Sequence, residues 1–214
     1  MTKFFNEILD TTQTDKRTPQ YYKAVDWNIV NAIDKATWEK LTSQFWTDTR
    51  VPVSNDLKDW RLLSDLEKEV FNHAFAGLTM LDTLQSEEGA YKLKKAAKSQ
   101  HEEAIYNNLL FMESMHAKSY STIFQTLSTP QEIAEIFEWA DHNTLLQEKA
   151  KMINEVYQNG SELEIKVASV FLESALFYSG FYTPLLFLGN GKMVNSAEII
   201  KLILKDESVN IVPM

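Results

Sequence analysis

An all-α bundle is the fold this sequence predicts, on three observations: scarce helix breakers, long stretches with an apolar period near 3.6, and short polar residues where those stretches begin. Only 6 Gly and 5 Pro are spread through 214 residues, so few points interrupt a regular backbone. Hydrophobic residues make up 44% and aromatics 12%, enough to bury a sizeable core. No repeat, low-complexity tract or linker divides the chain, which reads as a single domain over 1–214.

The elements follow in order. A first helix is expected over roughly 30–46, and the segment 47–57, with Pro52 and the pair Asn55 and Asp56, reads as a loop. Ser64 followed by Glu67 is a capping box, in which a hydroxyl caps the first amides and a Glu reaches back, and it opens a helix over roughly 65–90. The next helix spans roughly 100–127. Thr129/Glu132, with Pro130 at the first helical position, starts one over roughly 130–158. Ser161/Glu164 and Asn195/Glu198 are read as boxes for helices over roughly 162–188 and 196–209. Stops fall at Asn159-Gly160 and at Gly189-Asn190-Gly191. Pro184 inside its helix is expected to kink it near Gly180, whose carbonyl loses its partner.

Composition excludes several chemistries. A net charge of -9 and a pI near 5.0 speak against a nucleic-acid surface, which needs clustered Lys and Arg. No cysteine is present, so disulfides, thiolate metal sites and thiol nucleophiles are out. Residues 1–10 have no sustained apolar stretch and do not read as a signal peptide. No uninterrupted apolar run approaches membrane-spanning length, although 167–188 is rich in apolar residues. The expectation is a cytoplasmic protein with no membrane partner.

Carboxylates stand where hydrocarbon belongs. On the helix from Asp65, Asp82 falls within an apolar arc of Val70, Phe71, Ala74, Phe75, Leu78 and Leu81, at about 100° per residue. On the next helix Ile105, Leu109, Met112, His116, Tyr120 and Phe124 form one stripe, and Glu113 precedes His116 by one turn. Glu-x-x-His sets a hard oxygen beside an imidazole, as one metal ion requires; the bland alternative is an exposed ion pair. Glu173 is surrounded by apolar residues, and no Lys or Arg follows Lys166 on its helix. A buried carboxylate costs several kcal/mol unless paired or bound to metal. The last helix adds Asp206 and Glu207, flanking the face of Ile199 and Ile203. Four helices thus offer Asp82, Glu113, Glu173 and Glu207 to a common core. Two divalent cations would offset that charge, which is the ferritin-like di-metal pattern. Oxygen-rich donors without sulfur point to iron or manganese rather than structural zinc.

The stretches 101–108 (HEEAIYNN) and 111–121 (FMESMHAKSYS) closely resemble the small (beta) subunit of class Ib ribonucleotide reductase. So do Asn55-Asp56, 75–83 (FAGLTMLDT), 172–182 (LESALFYSGFY) and 205–209 (KDESV), and the resemblance covers about Trp27 to Val209. It implies a radical-generating subunit that serves deoxyribonucleotide synthesis with a separate large subunit. It also implies a homodimer, activation by a flavodoxin-like protein, and a di-iron or di-manganese centre. Asp82, Glu113, His116, Glu173 and Glu207 match metal ligands. Tyr120 matches the tyrosine oxidised to a stable radical, and Phe177, Phe181 and Ile203 match its apolar pocket. Trp46 and Asp206 match a relay that conducts an electron through the ligand histidine, with Asp206 holding the distal ring nitrogen of His116.

At the last site the resemblance implies Asp-Glu-x-x-His-Gly, whereas here Glu207 is followed one turn later by Asn210. Met214 then ends the sequence, so the C-terminal helices and docking tail of the resembled family are expected to be missing. A second reading is therefore a truncated or interrupted fragment of that subunit, inactive alone. A third is a metal-storing or oxygen-detoxifying bundle, against which the stretch 113–120 and the Trp46/Asp206 pair speak. His73, His101 and His142 read as structural or surface histidines, and Lys92, Lys94, Lys95 and Lys98 as a solvated helix end.

Overall fold

Local signals place most helix ends. The computed structural model describes residues 24–210; the reading of residues 1–10 and the final segment 211–214 lie outside that range. Helix α1 runs Ala32–Ser43, with Asn31 accepting from the Asp34 amide. The expected loop over 47–57 contains a 3₁₀ turn, Val53–Asp56, and leads into the short α2, Leu57–Leu62. Helix α3 is Asp65–Leu84, opened by the Ser64/Glu67 box. It continues through a π turn, Gln85–Gly89, into α4, Ala90–Ala96. Helix α5, Gln100–Leu127, matches its expected bounds and is capped by Ser99.

The helix expected over 130–158 is two helices. Helix α6, Pro130–His142, starts from the Thr129/Glu132 box, and α7 is Thr144–Asn159. Between them Asn143 leaves the helical conformation and its side chain caps α7 by accepting from the Leu146 amide at 3.0 Å. Asn competes for backbone donors in this way, which breaks a helix as readily as it starts one. Helix α8, Glu162–Phe171, follows the Ser161/Glu164 box. A second π turn, Leu172–Leu176, joins it to α9, Phe177–Gly189, which runs through Pro184 as one helix. Gly180 lies against Leu78, where an added Cβ would sit 2.6 Å from Leu78 Cδ2. Gly191 makes the following turn at φ +70.

Helix α10, Val194–Asn210, corrects the expected Asn195/Glu198 box. Its first amides are held instead by the buried carboxylate of Asp56. Oδ1 accepts from Asn195 N (3.0 Å) and Nδ2 (2.8 Å), and Oδ2 from Ser196 N (2.6 Å) and Oγ (2.7 Å). A full charge at a helix N-terminus outcompetes an amide side chain, and Glu198 pairs with Lys201 instead.

Helix α3 packs on α5, α6, α7 and α9, and α10 packs on α5, α9 and the second π turn. Helices α1 and α4 lean on α5. Among the described residues there is no strand. One main core cluster includes Trp46, Phe71, Phe75, Tyr120, Phe177, Phe181 and Ile203. Val70, placed on the apolar arc by periodicity, is exposed. Among the described residues one helical stretch, Glu162–Gly189, would suffice by length and composition to cross a membrane, with a mean hydropathy of 1.2. It carries Glu173 into the core while Leu163, Val167, Phe171 and Tyr182 stay exposed.

Candidate metal centre

Three helices bring their carboxylates to one place. Asp82 from the end of α3, Glu113 and His116 from α5, and Glu207 from α10 each offer one ligand atom, all within 4.8 Å of one another. All four residues are completely buried. His116 Nδ1 faces the group, 3.2 Å from Glu207 Oε1, 3.5 Å from Glu113 Oε2 and 3.8 Å from Asp82 Oδ1. Glu173 is not part of that four-residue group. It is equally buried, from the second π turn, and its charge raises the pKa of both Glu113 and Glu207.

The expected stripe on α5 is buried along its length, from Ile105 through Leu109, Met112, His116 and Tyr120 to Phe124. Phe177, Phe181 and Ile203 are buried in the same core as Tyr120. The ring set edge-on to Tyr120 is Phe75, with centroids 5.8 Å apart and planes at 76°. Periodicity had placed Phe75 on the same arc as Asp82 without singling it out.

Behind His116 lies a second set of contacts. Its Nε2 is 3.1 Å from Asp206 Oδ2, and the same oxygen accepts from Trp46 Nε1 at 2.6 Å. The Trp46 and His116 rings are nearly parallel, with centroids 5.9 Å apart and planes at 16°. With Nε2–H donating to Asp206, Nδ1 is the ring atom turned toward the carboxylates, the orientation a metal ligand needs.

Electrostatics set this cluster apart from a structural ion pair. Burial, the largest cause, pushes the carboxyls of Asp82, Glu113, Glu173 and Glu207 above the ordinary carboxylate range. Mutual repulsion adds to this at Glu113 and Glu207. Burial alone would lower His116, but its hydrogen bond to Asp206 and the negative carboxylates of Asp82 and Glu113 close to Nδ1 outweigh it and hold the imidazole well above its usual value. Burial, then the charges of Asp82 and Glu207, keep the Tyr120 proton on far beyond an ordinary phenol.

The donor atoms fit a cation. Both Asp82 oxygens, Glu113 Oε2, His116 Nδ1, Glu173 Oε2, Glu207 Oε1, Asn210 Oδ1 and the Tyr120 hydroxyl are buried without a hydrogen-bond partner among the described residues. Orphaned buried acceptors cost 1–3 kcal/mol or more each in typical cases. Here they share one centre, where a positive charge would satisfy them together. Asn210 sits at the edge. Its Nδ2 donates to Glu113 Oε1 at 2.9 Å and to Glu207 Oε2 at 3.2 Å.

The other histidines have ordinary roles. His101 contacts the Asp26 carbonyl at 3.0 Å, His73 stacks on Trp139, and His142 contacts the Glu138 carbonyl at 2.8 Å. Of the lysines, Lys92 donates to Gln158, Lys95 covers the Tyr91 ring and Lys98 pairs with Glu162.

Comparison with known proteins agrees with this geometry. A family model described as "Ribonucleotide reductase, small chain" matches residues 24–212. The ribonucleoside-diphosphate reductase subunit beta of Mycobacterium leprae (strain TN) is 48% identical over 188 residues, covering 87% of this chain and 58% of its own length. The ribonucleoside-diphosphate reductase 2 subunit beta of Escherichia coli (strain K12) is 45% identical over 188 residues, 87% of this chain and 59% of its own. The X-ray structure of Streptococcus sanguinis dimanganese(II)-NrdF is 62% identical with a TM-score of 0.87, covering 89% of this chain and 68% of that one. The ribonucleotide reductase R2 subunit from Clostridium botulinum, 27% identical, has a TM-score of 0.83 over 89% of this chain and 62% of its own. The architecture is the ferritin-like helical bundle of these neighbours. The chain spans about 58% of the length of the curated relatives it matches.

Proposed function

We propose, because the chain belongs to the ribonucleotide reductase small-chain family, that it forms the metal-binding core of a radical-generating subunit of ribonucleoside-diphosphate reductase. In this reading Asp82, Glu113, His116, Glu173 and Glu207 hold a pair of iron or manganese ions, and Tyr120 is oxidised to a radical. A separate large subunit uses that radical to reduce ribonucleotides. A second copy of the chain and a flavodoxin-like activator complete the proposed partners. The observation that carries the reading is the cluster of orphaned buried donor atoms beside Tyr120 and the Trp46–Asp206–His116 contacts.

Asp82, Glu113, His116, Glu173 and Glu207 would hold a metal pair that, once oxidised by an oxygen-derived oxidant, would supply the one-electron oxidising power for the phenol, whose proton would pass to a neighbouring carboxylate. The chain's own residues do the rest. Burial keeps the hydroxyl proton on Tyr120 until the electron leaves, and Phe75 and the surrounding core exclude water and reductants from the ring. Asp206 Oδ2 joins Trp46 Nε1–H to His116 Nε2, so an electron arriving at Trp46 has a hydrogen-bonded route to the ligand imidazole. Oxygen donors with a single imidazole suit iron or manganese, and the dimanganese content of the Streptococcus sanguinis neighbour supports manganese.

Asn210 makes the two cation positions unequal. A cation beside it meets the amide nitrogen that now donates to Glu113 and Glu207. The amide must turn over to present its oxygen, a weaker donor than imidazole for these metals. We expect tight binding on the Glu113/His116 side, weak binding beside Asn210, and little tyrosyl radical. Anaerobic manganese(II) titration with elemental analysis tests the metal reading: the protein takes up cation and Glu113→Ala loses it, whereas no uptake by the parent chain would sink it. Electron paramagnetic resonance after ferrous iron and oxygen tests Tyr120. The signal should rise in Asn210→His and vanish when Tyr120→Phe is added; a signal indifferent to Tyr120 removes that residue from the proposal.

A further inference from the structure

The carboxylate of Glu173 is held from behind by a chain of neutral hydrogen bonds. Gln85, fully buried at the head of the first π turn, donates from Nε2 to Glu173 Oε1 at 2.5 Å. Its Oε1 accepts from the Tyr157 hydroxyl at 2.6 Å, and that hydroxyl accepts from Ser169 Oγ at 3.2 Å. The chain runs from α8 through α7 to the first π turn and ends in the second. We propose that Gln85, oriented by Tyr157, is a positioning residue that fixes one oxygen of Glu173 and turns the other toward the metal centre. The inference rests on the metal reading above.

Each link has a direction. A phenol can give its proton or accept one, but an amide oxygen can only accept. Ser169 Oγ donates to the Tyr157 oxygen, which leaves the phenol O–H to donate to Gln85 Oε1, and the amide NH₂ then faces Glu173. Without that hydroxyl the amide could flip and set an oxygen against a carboxylate. With it, Glu173 Oε1 is tied and Oε2 is left without a hydrogen-bond partner among the described residues. The tie is neutral, which matters chemically. A Lys or Arg at this place would cancel the charge that a cation needs, whereas an amide orients the carboxylate and leaves its charge in place.

The backbone is shaped around this link. A Cβ at Gly89 would fall 2.0 Å from Gln85 Oε1 and 2.8 Å from the Tyr157 ring. Only glycine lets the amide and the phenol meet, at the last residue of the turn that Gln85 opens. Both members of the Gln85–Glu173 pair stand in π turns, which recur where a helix must present a functional side chain out of register.

Gln85→Met removes the hydrogen bond while keeping length and apolar bulk, and Tyr157→Phe removes only the hydroxyl. Anaerobic manganese(II) titration, followed by the free-ion electron paramagnetic resonance signal, reads stoichiometry and affinity on the full chain. Melting of the metal-free protein is measured alongside. Both variants should fold and lose affinity for manganese(II) by about ten- to a hundredfold, as when other outer contacts of metal ligands are removed. A purely structural role would change the metal-free melting temperature and leave affinity untouched. Parent-like manganese binding in the two folded variants overturns the positioning role alone. A parent chain that binds no manganese overturns the metal reading and this inference together.

Discussion

A carboxylate buried beside three others is an acid waiting for a counter-charge, and its protonation records whether one is present. Asp82, Glu113, Glu173 and Glu207 all have their pKa raised, with burial as the largest cause. Unfolded, they would ionise in the ordinary range of about 4 to 4.5. A raised folded value contributes stability that is complete below that range and is lost as pH rises through the folded values. His116, also raised, acts in the same direction. Metal-free protein should therefore melt at a lower temperature at about pH 8 than at about pH 5. Manganese(II) should restore the difference, most strongly at the higher pH. Scanning calorimetry with and without the ion measures both; a metal-free melting temperature that rises with pH would contradict it. The centre was legible because helical periodicity puts Asp82, Glu113 and His116 among apolar neighbours, and because Glu173, beside the four-residue group, lacked any local partner. Gln85 was not legible. Its partners lie 88 and 72 residues away, and a glutamine in a helical stretch gives no sign of the carboxylate it will meet.

At the scale of elements, α10 depends on a residue far from it in sequence. Asp56 makes four hydrogen bonds to Asn195 and Ser196 at the start of the helix that carries Asp206, Glu207 and Asn210. Asp56→Ala leaves those donors without a partner and should destabilise the protein by about 2–4 kcal/mol. It should weaken manganese(II) binding as well, because Glu207 loses its fixed support. Glu198→Ala, which removes an exposed pair with Lys201, should stay within about 0.5 kcal/mol of the parent. Chemical denaturation of both variants makes the comparison, and equal losses would show that Asp56 is not the anchor. The boxes at Ser64, Thr129 and Ser161 were readable because cap and Glu lie within one turn. The Asn195 cap misled because a distant charge took its place, and the break at Asn143 was hidden within a pattern that stays periodic across it.

For the molecule as a whole, sequence pattern conveyed the class of fold and the chemistry of its centre, since both follow from repeated local spacing. It did not convey the outer supports, which come from helices brought together only by folding: Asp56 under α10, Tyr157 behind Gln85, Phe75 against Tyr120. Those supports close the centre completely, and Asp82, Glu113, His116, Glu173 and Glu207 have no accessible surface. An ion held there has no path out of the resting structure, so its departure waits on a transient opening of the bundle. Loss to a strong chelator should then proceed at a rate that levels off as chelator concentration rises, and the plateau should be shared by ions of different affinity. Stopped-flow or manual mixing with increasing chelator would follow it, and a rate that climbs without limit would mean the centre is open to solvent. Occupancy then becomes a matter of history: whichever ion is present as the helices close is the one the protein keeps, even where another would bind more tightly at equilibrium.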